Sequence, residues 1–334
     1  MKAVLCKQYG GPALLTVEEV APPRPRAGEV LVSVHAASVN FPDTLIIANK
    51  YQLKPDLPFS PGGEVAGTIS EVGAGVTDFA PGDRVIAVCG FGGFAESVVV
   101  PRERVIHLED EVPMDTAAAL VLTYGTTHYA LQDRARLKRG ESLLVLGAAG
   151  GTGMSAVHIG KLMGARVIAA ASSAEKVAIC RDHGADTTLD YSKNDLRENV
   201  MRITNGRGVD VVYDPVGGPF TEAALRSMAW GGRLLVIGFA SGEIPRPPLN
   251  LPLLKGCSIV GVYYGGFAAH EPAQQLSLLK ELMRWLVDGR IRPLVTVRRP
   301  LEEAALALEE IAARRAVGKI VLTTALGRGE RSAI

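Results

Sequence analysis

The residues of this 334-residue chain with the clearest chemical meaning are glycines in the stretch Gly147-Ala148-Ala149-Gly150-Gly151-Thr152-Gly153. The apolar run Leu143-Leu144-Val145-Leu146 precedes them, and the apolar-rich segment Met154 to Met163 follows. Strand, tight turn and helix in that order let a backbone approach a pyrophosphate closely. The helix then presents its free N–H groups and positive dipole end to it. In a G-x-G-x-x-G frame Ala148 takes the first place, with Gly150 and Gly153 in the second and third. A glycine-rich turn alone carries little weight. Here Arg166 to Ala171 reads as a second strand and completes a βαβ unit of about thirty residues, so the stretch reads as a dinucleotide site.

The end of that second strand bears on which dinucleotide. An NAD site usually places a carboxylate there to accept from the ribose 2′-hydroxyl. This chain has Ser172-Ser173-Ala174-Glu175-Lys176, with Glu175 already in the first turn of the next helix. Hydroxyls and an ammonium suit a 2′-phosphate, which a carboxylate would repel. NADP(H) is therefore expected, and the two serines are also able to cap the helix.

Composition removes several other chemistries. Cys6, Cys89, Cys180 and Cys257 are scattered without a C-x-x-C, and the six histidines (35, 107, 128, 158, 183 and 270) show no metal-ligand spacing. Neither a disulfide framework nor a metal site is expected, and a reducing cytoplasm is. Thirty-six basic and 35 acidic residues give a net charge of +1 without a basic stripe, so no nucleic-acid partner is expected. No apolar run reaches membrane-spanning length, and the Met1 to Lys7 segment is broken by charge before a signal-peptide core forms.

The elements that must position these residues follow from periodicity. Up to about Pro113 the chain reads as short β-branched runs, among them Val30–Val34, Ala66–Val72 and Arg84–Val88, punctuated by Pro/Gly turns. A helix-prone region spans Asp115 to about Asp133. Strands and helices then alternate, with Val209–Asp214 and Arg233–Gly238 as buried strands, the pattern of a doubly wound parallel sheet. Ile259–Tyr264 reads as its last strand. A helix over about 273–286, a β-like 294–297, a helix over 301–314, a strand over 319–323 and a polar tail from Gly327 follow. The expected organisation is a first catalytic segment (1–119), a dinucleotide-binding domain (120–264) and a second catalytic segment with the tail (265–334).

With these residues in view the chain resembles the quinone oxidoreductase branch of the medium-chain dehydrogenase/reductase superfamily, the branch that includes zeta-crystallin. The markers are Val39-Asn40-Phe41-Pro42-Asp43, Pro61-Gly62-Gly63-Glu64-Val65-Ala66-Gly67, Gly82-Asp83-Arg84-Val85, Ala148 to Gly153 and Asp214-Pro215-Val216-Gly217-Gly218. The resemblance implies an α/β protein: a Rossmann domain inserted in a GroES-like β-barrel catalytic domain, assembled as a homodimer or homotetramer. Ile259–Tyr264 is then a candidate edge strand for pairing. Zinc-dependent relatives bind metal where this chain has its Asn40–Asp43 segment, Gly63 and the Tyr124-Gly125 region, none of which supplies a soft or imidazole ligand.

The resemblance further implies hydride transfer from NADPH to an electrophilic acceptor, a quinone or α,β-unsaturated carbonyl. Asn40 (amide donor) and Tyr51 (phenol) would line the acceptor pocket. Thr126 would sit near the nicotinamide or phosphate, and Gly150, Gly151, Thr152 and Gly153 would hold the pyrophosphate. Ser172, Lys176 and Tyr191 would surround the 2′-phosphate. Phe239 and Ser241 would follow the crevice, and Val262 and Tyr264 would reach the nicotinamide. Asn40 also suits an Asx turn before Pro42, and Tyr51 a packed loop. Two other functions fit the same residues: an enoyl-thioester (enoyl-CoA) reductase, and a non-catalytic NADPH-binding crystallin-like or sensor protein.

Overall fold

The structure, a computed structural model, describes residues 1–193 and 195–329; most of the expected polar tail (330–334) lies outside the described residues. In chain order the strands are β1 (Lys2–Leu5), β2 (Thr16–Glu19), β3 (Glu29–Val39), β4 (Glu64–Val72), β5 (Arg84–Val88), β6 (Ser97–Pro101), β7 (Val105–His107), β8 (Ser142–Val145), β9 (Arg166–Ala171), β10 (Thr187–Asp190), β11 (Val209–Asp214), β12 (Met228–Val236), β13 (Ser258–Gly261), β14 (Val295–Pro300) and β15 (Lys319–Thr323). The chain divides into two units, Met1–Leu122 together with the chain from Arg292, and Thr123–Ile291.

The first unit is built on the eleven-residue β3. It pairs antiparallel with β4, β6 and β15, within a sheet ordered β14-β15-β3-β4-β5-β7. Its valines and alanines (Val30, Val32, Val34, Ala37, Val39) pack with Val65, Val85, Phe94, Leu308, Ile320 and Leu322 in one core. β-Branched residues suit such pleated, packed surfaces.

The second unit holds a six-stranded sheet, β10-β9-β8-β11-β12-β13, parallel at every pairing. β8 and β11 are buried along their whole length, which is why their sequences run apolar without alternation. Strand order reverses between β8 and β11, opening a crevice at the carboxyl ends of the strands.

Three local readings change. The helix expected over 115–133 is divided into helices Met114–Ala118 and Thr126–His128 and two wider π-helical stretches, Val121–Gly125 and Tyr129–Arg134. One cause is visible: the Leu122 N–H donates to Glu64 Oε2 at 2.8 Å, so a side chain interrupts the helical ladder. The last parallel strand ends at Gly261. Val262 N still reaches the Val236 carbonyl at 3.1 Å, but Tyr264 begins a helix, Tyr264–His270. Residues 265–291, expected with the second catalytic segment, fall in the second unit. There the helix Pro272–Val287 meets it through Glu281 and Trp285 on His128 and Gln275 on Tyr264.

Candidate functional site

In the second unit the glycine turn closes β8 and opens the twelve-residue helix Gly151–Leu162. Gly147 carries the left-handed conformation (φ +59°) and accepts from Gly150 N at 3.0 Å. This accounts for Ala148 in the first place of the fingerprint: the residue that needs positive φ stands one position earlier. A Cβ at Gly153 would overlap the Gly147 carbonyl oxygen, so packing of the helix on the turn requires glycine there. Gly150 differs. Its φ of −77° suits any residue, and a Cβ would find only the Gly147 carbonyl oxygen, at 3.5 Å. Neither its backbone conformation nor its packing requires glycine there. Gly150 is also the helix N-cap, and no side chain caps the first turn. Gly151, Thr152 and Gly153 therefore offer N–H groups without a side-chain acceptor, the donor set a pyrophosphate fits.

A buried hydroxyl cluster fixes this turn from below. Thr127 Oγ1 lies 2.6 Å from Ser155 Oγ and 2.8 Å from Tyr213 Oη, and Ser155 Oγ donates to the Thr152 carbonyl at 2.8 Å. Thr126, beside Thr127, is half-buried. The neighbouring turn after β11 is pinned by Asp214: Oδ1 accepts from Val216 N and Gly217 N, and Oδ2 from Thr221 Oγ1 at 2.6 Å. Burial raises the Asp214 carboxyl above its ordinary range.

The remaining sequence-derived cofactor residues follow the carboxyl ends of parallel strands. Exposed Ser172 and half-buried Lys176 follow β9, and Ser173 caps the helix Ala174–Asp182 by accepting from Lys176 N at 3.3 Å. Tyr191 follows β10, its ring centroid 4.6 Å from that of Phe220. Phe239 and Ser241 follow β12 in a loop returned onto β11's turn by Ser241 N on the Val216 carbonyl at 2.8 Å. Val262 follows β13, and Tyr264 packs so tightly on Gly125 that a Cβ there would lie 2.5 Å from Tyr264 Oη. Parallel pairing thus brings these residues to one edge of the sheet.

In the first unit Asn40 caps the helix Phe41–Ile47 and is 6% exposed. Its Oδ1 accepts from Lys319 Nζ at 2.6 Å, while Nδ2 donates to Glu64 Oε1 at 3.0 Å and to the Ser38 carbonyl at 3.2 Å. Because an ammonium only donates, this arrangement fixes which amide atom is oxygen. The Asn40 backbone N–H donates to Asp43 Oδ2 at 2.8 Å. Burial, only partly opposed by the Asn40 backbone bond and Lys319, pushes the Asp43 carboxyl up to about 7. Burial also lowers the Lys319 ammonium, and it pushes the nearby Cys89 thiol up to about 12, keeping it protonated. Tyr51 is half-buried against the core. Sequence reading did not single out Glu64, Asp43 or Lys319. The first two stood inside recognised motifs, but Lys319 lies 279 residues from Asn40 and carried no local signal.

Among the described residues no three His, Cys, Asp or Glu side chains come together to hold a metal ion. The histidines have other surroundings: Tyr124 Oη lies 2.7 Å from His158 Nδ1, and burial lowers His158 to about 4. No helix among the described residues is long and apolar enough to cross a membrane.

Residues 26–110 match the family described as alcohol dehydrogenase GroES-like domain, and residues 151–281 the one described as zinc-binding dehydrogenase. A quinone oxidoreductase of Pseudomonas aeruginosa is 37% identical over 322 residues, 96% of this chain and 99% of that protein. A quinone oxidoreductase-like protein 2 homolog of Nematostella vectensis is 36% identical over 97% of this chain and 89% of that protein. Among solved structures, Escherichia coli quinone oxidoreductase complexed with NADPH aligns with a TM-score of 0.91 at 29% identity, covering 97% of this chain and all of that one.

Proposed function

We propose that this chain, which belongs to the zinc-free quinone oxidoreductase branch of the medium-chain dehydrogenase/reductase superfamily, transfers hydride from NADPH to a quinone or an α,β-unsaturated carbonyl. The observation that carries the reading is the bare Gly150 at an uncapped helix N-terminus, with Ser172 and Lys176 in place of a carboxylate at the end of β9. NADPH, when bound, supplies the hydride. Gly151, Thr152 and Gly153 hold its pyrophosphate through backbone N–H groups; Ser172, Lys176 and Tyr191 surround its 2′-phosphate. Thr126, Phe239, Ser241, Val262 and Tyr264 orient the nicotinamide half.

Asn40 and Tyr51 are the residues proposed to meet the acceptor. As charge develops on the acceptor oxygen, it is stabilised by donors already in place. Of the two Asn40 amide protons, the one on the Ser38 carbonyl has the longer bond, 3.2 Å, and is the one proposed to be shared with that oxygen without the amide turning. The Tyr51 phenol is the second donor.

The exposed edge strand β13 and the apolar residues near it support a homodimer or homotetramer. Trp230 is 81% exposed, Leu253 78% and Tyr263 58%, and apolar patches beside an unpaired strand edge favour association with a second copy. The four free cysteines accord with a cytoplasmic setting.

The test is loss of nicotinamide absorbance with NADPH or NADH and a panel of quinones, enones and enoyl-CoAs. Quinone or enone turnover with NADPH preferred is the expected result. Turnover of enoyl-CoAs alone reassigns the acceptor to thioesters, and NADPH binding without turnover of any acceptor overturns the enzymatic reading.

A further inference from the structure

Among the described residues of the first unit, the buried charged side chains are Asp43 (1% exposed), Glu64 (0%) and Lys319 (4%), and all three meet at Asn40. Buried ion pairs contribute little net stability, because desolvation offsets their attraction. Their gathering around one amide therefore calls for a further account. Lys319 Nζ donates to Asn40 Oδ1 at 2.6 Å and to the Val39 carbonyl at 3.2 Å, and stands 3.6 Å from Glu64 Oε1. Glu64 in turn holds the Asn40 amide nitrogen at 3.0 Å and the Leu122 N–H at 2.8 Å. Asn40 starts the helix Phe41–Ile47, and Lys50 N bonds back to the Leu45 carbonyl at 2.8 Å, just before Tyr51. One ammonium thus sets the orientation of Asn40 and, through that helix, the start of the segment ending at Tyr51.

We infer that Lys319 is a positioning residue for the acceptor: its ammonium locks the Asn40 amide in one orientation and holds the Asn40–Tyr51 segment in place. The inference rests on Asn40 and Tyr51 meeting the acceptor. It places a determinant of quinone turnover on β15, far along the chain from either residue.

The test compares Lys319→Met and Lys319→Arg with the unaltered protein for NADPH binding and for quinone-dependent NADPH oxidation. Lys319→Met leaves two carboxylates without their cation, so Lys319→Met/Glu64→Gln is made alongside it. That double variant removes one cation and one carboxylate together, so the cluster keeps the net charge of the unaltered protein while Asn40 is left unlocked. The double variant is expected to bind NADPH within about twofold of the unaltered protein, since the proposed cofactor residues lie in the other unit. Its kcat/KM for the quinone is expected to fall by about tenfold or more, as misplaced acceptor contacts require. Lys319→Arg, which keeps a cation that donates, is expected to recover part of the loss. A double variant that folds, binds NADPH and turns over quinone at the unaltered rate overturns the inference and leaves Lys319 as a charge balance only. If no acceptor supports NADPH oxidation by the unaltered protein, the proposed function fails instead. The Asn40 side-chain amide resonances then decide the inference: distinct and slowly exchanging in the unaltered protein supports it if the double variant averages them, and unchanged resonances overturn it.

Discussion

Asp43→Asn tests the electrostatics of the buried cluster directly. Burial lifts this carboxyl from the ordinary 3.8 to about 7. A rise of about three units separates the protonated and ionised folded forms by about 4 kcal/mol. Because the folded value lies above the unfolded one, the group's contribution is fully present below about pH 4 and is lost as pH rises through about 7. Between about pH 6 and pH 8 the folded carboxyl passes from mostly protonated to mostly ionised while the unfolded one stays ionised, removing about 1.4 kcal/mol of stability. The groups facing it are Glu64, Lys319, Cys89 and the backbone N–H groups of Asn40 and Gly62. Lys319, lowered by burial, has the opposite slope, so the informative quantity is the difference between variant and parent. The variant keeps an oxygen for the Asn40 N–H and loses the titration, and any constant cost of the replacement does not change with pH. Urea unfolding followed by circular dichroism at the two pH values is expected to show the difference moving by about 1 kcal/mol in the variant's favour at the higher pH. A difference independent of pH, or one moving the other way, refutes the argument.

Four other outcomes follow from the geometry. Gly150→Ala is expected to leave thermal stability unchanged and weaken NADPH binding by about tenfold or more, because its methyl meets only an oxygen at 3.5 Å and projects where the ligand is proposed to lie. Gly153→Ala is expected to destabilise the protein itself by about 1–3 kcal/mol, since its methyl overlaps the Gly147 carbonyl; calorimetry with and without NADPH separates the two. Lys176→Ala is expected to lower the preference for NADPH over NADH by about tenfold through loss of one charge-assisted contact, read from the ratio of kcat/KM values. Leu253→Glu, at a residue 78% exposed, is expected to convert the proposed homodimer or homotetramer to monomers by light scattering without altering the fold, and an unchanged mass would show that this surface does not associate.

The parts of the fold that sequence made legible are those governed by local rules. Buried parallel strands announce themselves as continuous apolar runs, which is why β8 and β11 were readable, and the glycine turn states its own geometry. The 115–133 helix was legible in kind but not in form, because its interruption depends on Glu64 reaching Leu122 N across 58 residues. The Ile259–Tyr264 strand was read three residues too long, since β-branched and aromatic residues suit a strand while Tyr264 is drawn into a helix packed on Gly125. Asn40 was found through its motif, whereas its anchoring by Lys319 is a tertiary contact that no spacing announces.

The pairing of β15 with β3 has a consequence for synthesis. The second unit is one uninterrupted stretch, Thr123–Ile291, so it is complete before the ribosome delivers the last strands of the first. Until then β3 lacks one of its neighbours, and Asp43 and Glu64 lack the cation that balances them. A chain that stalls or is cut before Lys319 therefore exposes an open sheet edge beside two uncompensated carboxylates, a state that invites aggregation or capture by quality control. The arrival of β15 pairs the waiting edge of β3 and brings the cluster its cation in the same step.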